Sequence, residues 1–147
     1  MARVSSHFDL QDPRNSTLVM ETFAPAAVTS TLAVTYTPAQ LLSGMVIRSG
    51  PTGGVTDTFP TAAAMCEAVQ GCFVNLSFTF RVRNTSGQTI TLQTPVGGLS
   101  QILPGSLSPM TVLTTAERTF RLQFTNVTVG QESYTIWPMG GPGTYAA

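Results

Sequence analysis

The sequence predicts a mainly β protein, a single antiparallel β-sandwich of jelly-roll type with one short helical insertion near residues 61–70. Three observations carry that expectation. Short segments of period-two alternation recur along the chain, most clearly in Val74–Arg83 and Thr119–Thr125. Glycine and proline, 13 and 10 of 147 residues, punctuate those segments as turns do. Only Thr61–Gln70 keeps a helical period for more than a turn, with Ala62, Met65, Cys66 and Val69 at i, i+3, i+4 and i+7. At this length one domain is expected, burying roughly 68–70% of the surface its unfolded chain would expose.

Taken in order, residues 1–30 read as an extended N-terminal arm. They hold Asp12-Pro13 and the small-residue run Ala24-Pro25-Ala26-Ala27, and only Leu18-Val19-Met20 could pair as an edge strand. Residues 31–138 form the sandwich domain. Thr31–Tyr36 alternates, with Leu32, Val34 and Tyr36 on one face. Thr37-Pro38-Ala39-Gln40 has the spacing of a capping box with proline at the first helical position, and Gly44 stops that helix after about one turn. Met45–Arg48 is a short strand, and Ser49–Thr56 a Gly/Pro loop.

Pro60 and Gly71 bracket the longer helix, whose cap is Thr58, Phe59 or Thr61. Beyond Gly71 the period becomes two. Val74, Leu76, Phe78, Phe80 and Val82 face inward, and Asn75, Ser77, Thr79, Arg81 and Arg83 outward. Asn84–Gly87 is turn chemistry before Ile90 and Leu92, which predicts a hairpin. Gln101–Leu103, Met110–Thr114, Thr119–Thr125 and Ser133–Trp137 are further strands. Phe120, Leu122 and Phe124 share one face, and the apolar positions shift at Asn126, where a bulge or turn is expected. Residues 139–147 are expected to be a flexible C-terminal tail.

Charge narrows the function. Only 10% of residues are charged, and seven arginines balance seven carboxylates without a single lysine; about 25% is usual. Such a surface is expected to be covered by neighbours rather than kept apart by self-repulsion. Nucleic-acid binding is not expected, because Arg81/Arg83 and Arg118/Arg121 are too few to make a basic stripe. No stretch approaches the about 18 apolar residues of a membrane span. If Met1 is the native start, the absence of a secretory core places synthesis in a cytosol. The sequons at Asn15, Asn75, Asn84 and Asn126 then read as chance matches.

Catalytic and cofactor constellations are not expected, so no catalytic, cofactor-binding or metal residue is assigned. His7 is the only histidine and lies in the arm, and no G-x-S-x-G elbow presents a serine. A carboxylate pair would need Asp57 to meet Glu67 or Glu132; Asp57 is instead expected to anchor a loop beside a helix N-terminus. The Gly50–Thr56 loop lacks the Gly-Lys-Ser/Thr ending of a phosphate loop. Two cysteines and one histidine are too few for structural zinc. Cys66 and Cys72 are read as two buried reduced thiols, since a disulfide would need the chain to reverse sharply between them.

Tyr36–Arg48, followed by Thr56–Met65 with its Thr58-Phe59-Pro60-Thr61-Ala62, and then Phe78-Thr79-Phe80-Arg81-Val82-Arg83-Asn84-Thr85, are similar to a block in small structural proteins of double-stranded DNA phages and viruses. Those proteins carry a T-D-T-L-P-T-A segment ahead of an F-x-F-x-V-x-N-T strand; Phe59 stands here where leucine is the pattern. The likeness covers residues 36–137. It implies a virion decoration (cement) or minor capsid protein, or a head-fibre module: a trimeric β-protein at the capsid surface, made in the host cytoplasm, whose partner is a major capsid or other virion protein. On that reading the arm contributes apolar anchors Phe8, Leu10, Leu18 and Met20, with Arg3 and Arg14 meeting shell carboxylates, and Trp137 and Tyr145 as further interface residues. The alternative is a receptor- or glycan-binding module of a phage fibre or tail, using exposed aromatics to stack on sugars.

Overall fold

The computed structural model describes residues 24–95, 101–102 and 110–144. In chain order its elements are β1 (Ala26–Thr29), α1 (Pro38–Leu42), β2 (Met45–Ser49), β3 (Val55–Thr58), α2 (Ala62–Ala68), β4 (Ser77–Asn84), β5 (Ile90–Gln93), β6 (Gln101–Ile102), β7 (Thr111–Val112), β8 (Ala116–Asn126) and β9 (Ser133–Thr144). A large sheet has the order β1-β2-β4-β8-β9, extended at one edge by the two-residue β6, and a second sheet has the order β3-β5-β7.

Among the described residues the fold is mainly β, with two sheets and two short helices, but it is not the antiparallel jelly roll expected. β1 with β2, β2 with β4, β3 with β5 and β6 with β9 run parallel, whereas β4/β8, β8/β9 and β5/β7 are antiparallel. Alternation cannot distinguish these cases, because a half-buried strand has period two in either direction. Direction is set by connections, and parallel neighbours need a crossover. α1 lies in the crossover from β1 to β2; β3 and α2 lie in the one from β2 to β4.

Local chemistry places both helices. Thr37 Oγ1 accepts from the Gln40 amide, and the Gln40 side chain accepts from the Thr37 amide, so the capping box forms as its spacing requires. α2 is capped by Thr61, whose hydroxyl accepts from the Ala64 amide. It ends at Val69, and Gly71 at φ 69° reverses the chain.

The inner faces meet in an aromatic cluster. Phe59, which follows β3, lies 5.8 Å from Phe80 of β4 and 6.2 Å from Phe120 of β8, and those two are 5.7 Å apart. Leu122, Phe124, Tyr134 and Ile136 continue the large sheet's inner face, opposite Ile90, Leu92 and Val112 of the small one. Fully burying one such side chain contributes about 1.5–3 kcal/mol.

Polar residues also face inward and tie the sheets together. Arg48 of β2 and Asp57 of β3, both fully buried, pair at 2.8 Å. The remaining Arg48 donors bond the carbonyls of Ser30, Leu32 and Ser49 at 2.7–2.8 Å. Asp57 also accepts from the Tyr36 hydroxyl at 2.8 Å and the Val34 amide at 3.0 Å. Burial, then the adjacent Asp57 carboxylate, raises the Tyr36 phenol well above its ordinary pKa. Asp57 is therefore not at a helix N-terminus; it joins the sheets. Asn84 donates to the carbonyls of Gln88, Val112 and Leu113, and Arg118 to that of Thr111. Burial lowers the Arg118 pKa.

Several other expectations change. Asn84–Gln88 is not a hairpin: Asn84 Oδ1 accepts from the Ser86 amide and hydroxyl, and the chain crosses to the other sheet as β5. Leu32 is 73% exposed, and of Thr31–Tyr36 only Thr35 makes a bridge, to Thr58. Val55–Thr58, partly assigned to a loop, is β3. Val74 sits in a turn before β4, where Asn75 takes φ 72°. The register shift expected near Asn126 is present. Residues 139–144, expected in a tail, extend β9: Met139 pairs with Thr119 and Thr144 with Ala116. A segment without regular structure of its own becomes a strand when β8 supplies partners.

Candidate functional site

The same alternation that buries one face of β4, β8 and β9 turns the other outward. Register places Arg83 opposite Glu117, Arg81 opposite Thr119, and Thr79 opposite Arg121. On β9, Trp137 stands beside Arg121, and Met139 beside Thr119. Thr79, Arg81 and Met139 are exposed; Arg83, Glu117, Arg121 and Trp137 are half-buried. The result is an outer face carrying three arginines, one carboxylate, an indole and a thioether.

Its internal contacts are weak enough to exchange. Glu117 is shared by Arg81 at 3.0 Å and Arg83 at 3.2 Å, and both arginine side chains are more than a third exposed. Ion pairs of this kind are worth about 0–1 kcal/mol, so an incoming carboxylate could replace Glu117 at little cost. The Arg121 guanidinium lies 5.9 Å from the Trp137 ring centroid and donates to Ser77 Oγ at 3.0 Å. This contact occupies one face of the indole. With strands about 4.8 Å apart and residues about 3.4 Å apart, the area from β2 to β9 and from residue 77 to 83 is about 300 Å². A stable interface uses roughly 800 Å² per partner. One such face is a weak contact by itself.

A second feature lies at the end of α2, against the turn between β8 and β9. A groove of about 500 Å³ is lined by Cys66, Glu67, Gly71, Cys72, Val129 and Glu132, among others. The cysteines are half-buried free thiols, not fully buried as expected, with Sγ atoms 3.4 Å apart. Burial, contact with Cys72 and the nearby Glu132 charge push the Cys66 thiol up to about 12.

Of the residues assigned from the sequence, Trp137 belongs to the outer face. Arg3, Phe8, Leu10, Arg14, Leu18, Met20 and Tyr145 lie outside the described residues, as does His7. Asp57 does not meet Glu67 or Glu132, since its oxygens are engaged by Arg48, Tyr36 and Val34. Among the described residues no group of three or more His, Cys, Asp and Glu side chains could hold a metal ion, and no helix is long and apolar enough to cross a membrane.

Sequence reasoning missed the arginine cluster because it counted Arg81/Arg83 and Arg118/Arg121 as sequence pairs. Strand parity held the signal. Arg118 shares parity with Phe120 and turns inward, whereas Arg121 opposes it and joins Arg81 and Arg83 once β4 and β8 pair. No family model, curated protein or solved structure matches the chain.

Proposed function

We propose that this chain is a non-enzymatic structural protein of a virion, which decorates or cements a capsid shell through many copies of one protein–protein contact. The observation that carries the reading is the outer face of the large sheet. Trp137, Arg81, Arg83, Arg121 and Met139 gather there in a chain of which only 10% is charged. Tryptophan, arginine and methionine are enriched where proteins meet. Three guanidinium groups against one carboxylate favour a partner surface rich in Asp or Glu, which arginine can grip with two parallel hydrogen bonds.

The small area of the face fits the same reading. A single contact of this size is weak, but a trimer seated on a symmetric shell makes several at once. Linkage can raise overall affinity by about 10²–10⁴ without a new contact. The alternative, glycan binding by a fibre or tail module, needs an open aromatic face, and Arg121 already covers one side of Trp137.

Sedimentation of the purified full chain over a wide concentration range, alone and with Arg121→Glu, tests the proposal. The expected result is a trimer, with shell binding lost in Arg121→Glu while the fold is retained. A monomer at every concentration that binds sugars through Trp137 would overturn it in favour of the glycan reading.

A further inference from the structure

We propose that Cys66 and Cys72 are a dithiol that closes to an intrachain disulfide by exchange with a low-molecular-weight disulfide such as oxidised glutathione. The inference is independent of the virion reading. It rests on placement, on room to move and on access.

The helix places the pair. α2 carries Cys66 in its last turn, stops at Val69, and Gly71 at φ 69° turns the chain back. The Cys72 amide bonds the Val69 carbonyl at 3.1 Å, which fixes the reversal. This sharp turn, which the sequence left open, brings the sulfurs to 3.4 Å. A disulfide needs about 2.05 Å, so closure requires an approach of roughly 1.4 Å. The loop can supply it. Gln70 and Gly71 are exposed, and a β-carbon placed on Gly71 would meet nothing within 4 Å. Both cysteines line the groove beside the β8–β9 turn, so a small disulfide can reach them from solvent.

The chemistry balances without a metal or cofactor. The Cys72 thiolate attacks one sulfur of the oxidant, forming a mixed disulfide and expelling one thiolate, which takes up the proton Cys72 gave up. Cys66 then loses its proton and displaces the second thiolate from the Cys72 sulfur. The two cysteines lose two electrons, and the oxidant is reduced to two thiols. Burial and the adjacent Cys72 disfavour the Cys66 thiolate, which leaves the opening attack to Cys72. The second step is intramolecular, and the short distance between the sulfurs offsets the low thiolate fraction of Cys66. The pair would stay open in a reducing compartment and close outside it.

The test uses the full chain in glutathione buffers of increasing oxidised fraction. Because the chain has no lysine, trypsin cleaves only after arginine, and both cysteines fall in one peptide, residues 49–81. The expected product is that peptide lighter by two hydrogens, with no glutathione attached and the chain not cross-linked to another. Closing so short a loop should raise Tm by about 5 °C, reversibly on reduction. Cys72→Ser and Cys66→Ser, each with one thiol, should instead retain glutathione as a stable adduct. A wild-type peptide that keeps both thiols, or carries two glutathiones, in fully oxidised buffer would overturn the proposal.

Discussion

Asp57→Asn is the most informative single substitution, because it keeps the shape of the side chain and removes only its charge and half its acceptors. In the native protein one Asp57 oxygen accepts from the Val34 amide at 3.0 Å, and the other from the Tyr36 hydroxyl and Arg48 Nε, both at 2.8 Å. Asparagine has one acceptor oxygen. Whichever way its amide turns, an NH₂ group faces a buried donor, and the fully buried Arg48 loses its counter-charge. Breaking one side of a buried pair costs about 3–5 kcal/mol, a large share of the about 5–15 kcal/mol that holds a typical domain together. Tyr36→Phe is the internal control. It removes one hydrogen bond to a charged acceptor, worth about 1.5–3 kcal/mol, and leaves the ring against Phe59 in place.

The single tryptophan, Trp137, reports urea unfolding by its fluorescence. With a slope near 2 kcal/mol per M, Asp57→Asn should lower the midpoint by about 2 M. Arg48→Gln should cost less on the Asp57→Asn background than alone, because its charged partner is already gone. A loss below about 1 kcal/mol for Asp57→Asn, or one no larger than for Tyr36→Phe, would refute the claim that this pair joins the two sheets.

Two further outcomes follow from the same structure. Gly50 holds φ 99° with its α-carbon against the backbone of Ser30, where an added β-carbon would lie 2.8 Å from the carbonyl oxygen; Gly50→Ala should cost about 1–3 kcal/mol in the same urea assay and loosen β1 from β2. Stability should also fall in alkali. Tyr36 and Cys66 both ionise less readily folded than unfolded, so above about pH 9 for the thiol and about pH 10 for the phenol the unfolded chain loses protons that the folded chain keeps. Thermal melts should show this decline, and Tyr36→Phe should make it shallower.

What could be read in the sequence was local. The Thr37 capping box, the short α1 and the inward stripe Phe120-Leu122-Phe124 depend on chemistry within a few residues, and each is found where expected. α2 is also present, with Thr61 the cap among the three candidates and its end at Val69 rather than at Gly71. Strand direction depends on which segments become neighbours. Nothing within Asn84–Gln88 distinguishes a hairpin turn from a crossing; Val112 and Leu113, which accept from Asn84, lie more than twenty-five residues away. Asp57 misled for the same reason. Its position near α2 was visible, but its partner Arg48 belongs to the other sheet. The outer face needed both parity, which the sequence contains, and the β4–β8 register, which it does not.

The crossover between β2 and β4 has a consequence for how the molecule forms and opens. These two strands lie side by side, yet the chain linking them builds β3 and α2 in the other layer before it returns. Neither layer can be completed while the other is unmade. Assembly must wait for contacts distant along the polypeptide, which makes it slow for a chain of this size. Once complete, the central amides of β2, β4 and β8 should exchange with solvent deuterium only through whole-molecule opening, at one shared rate, rather than layer by layer.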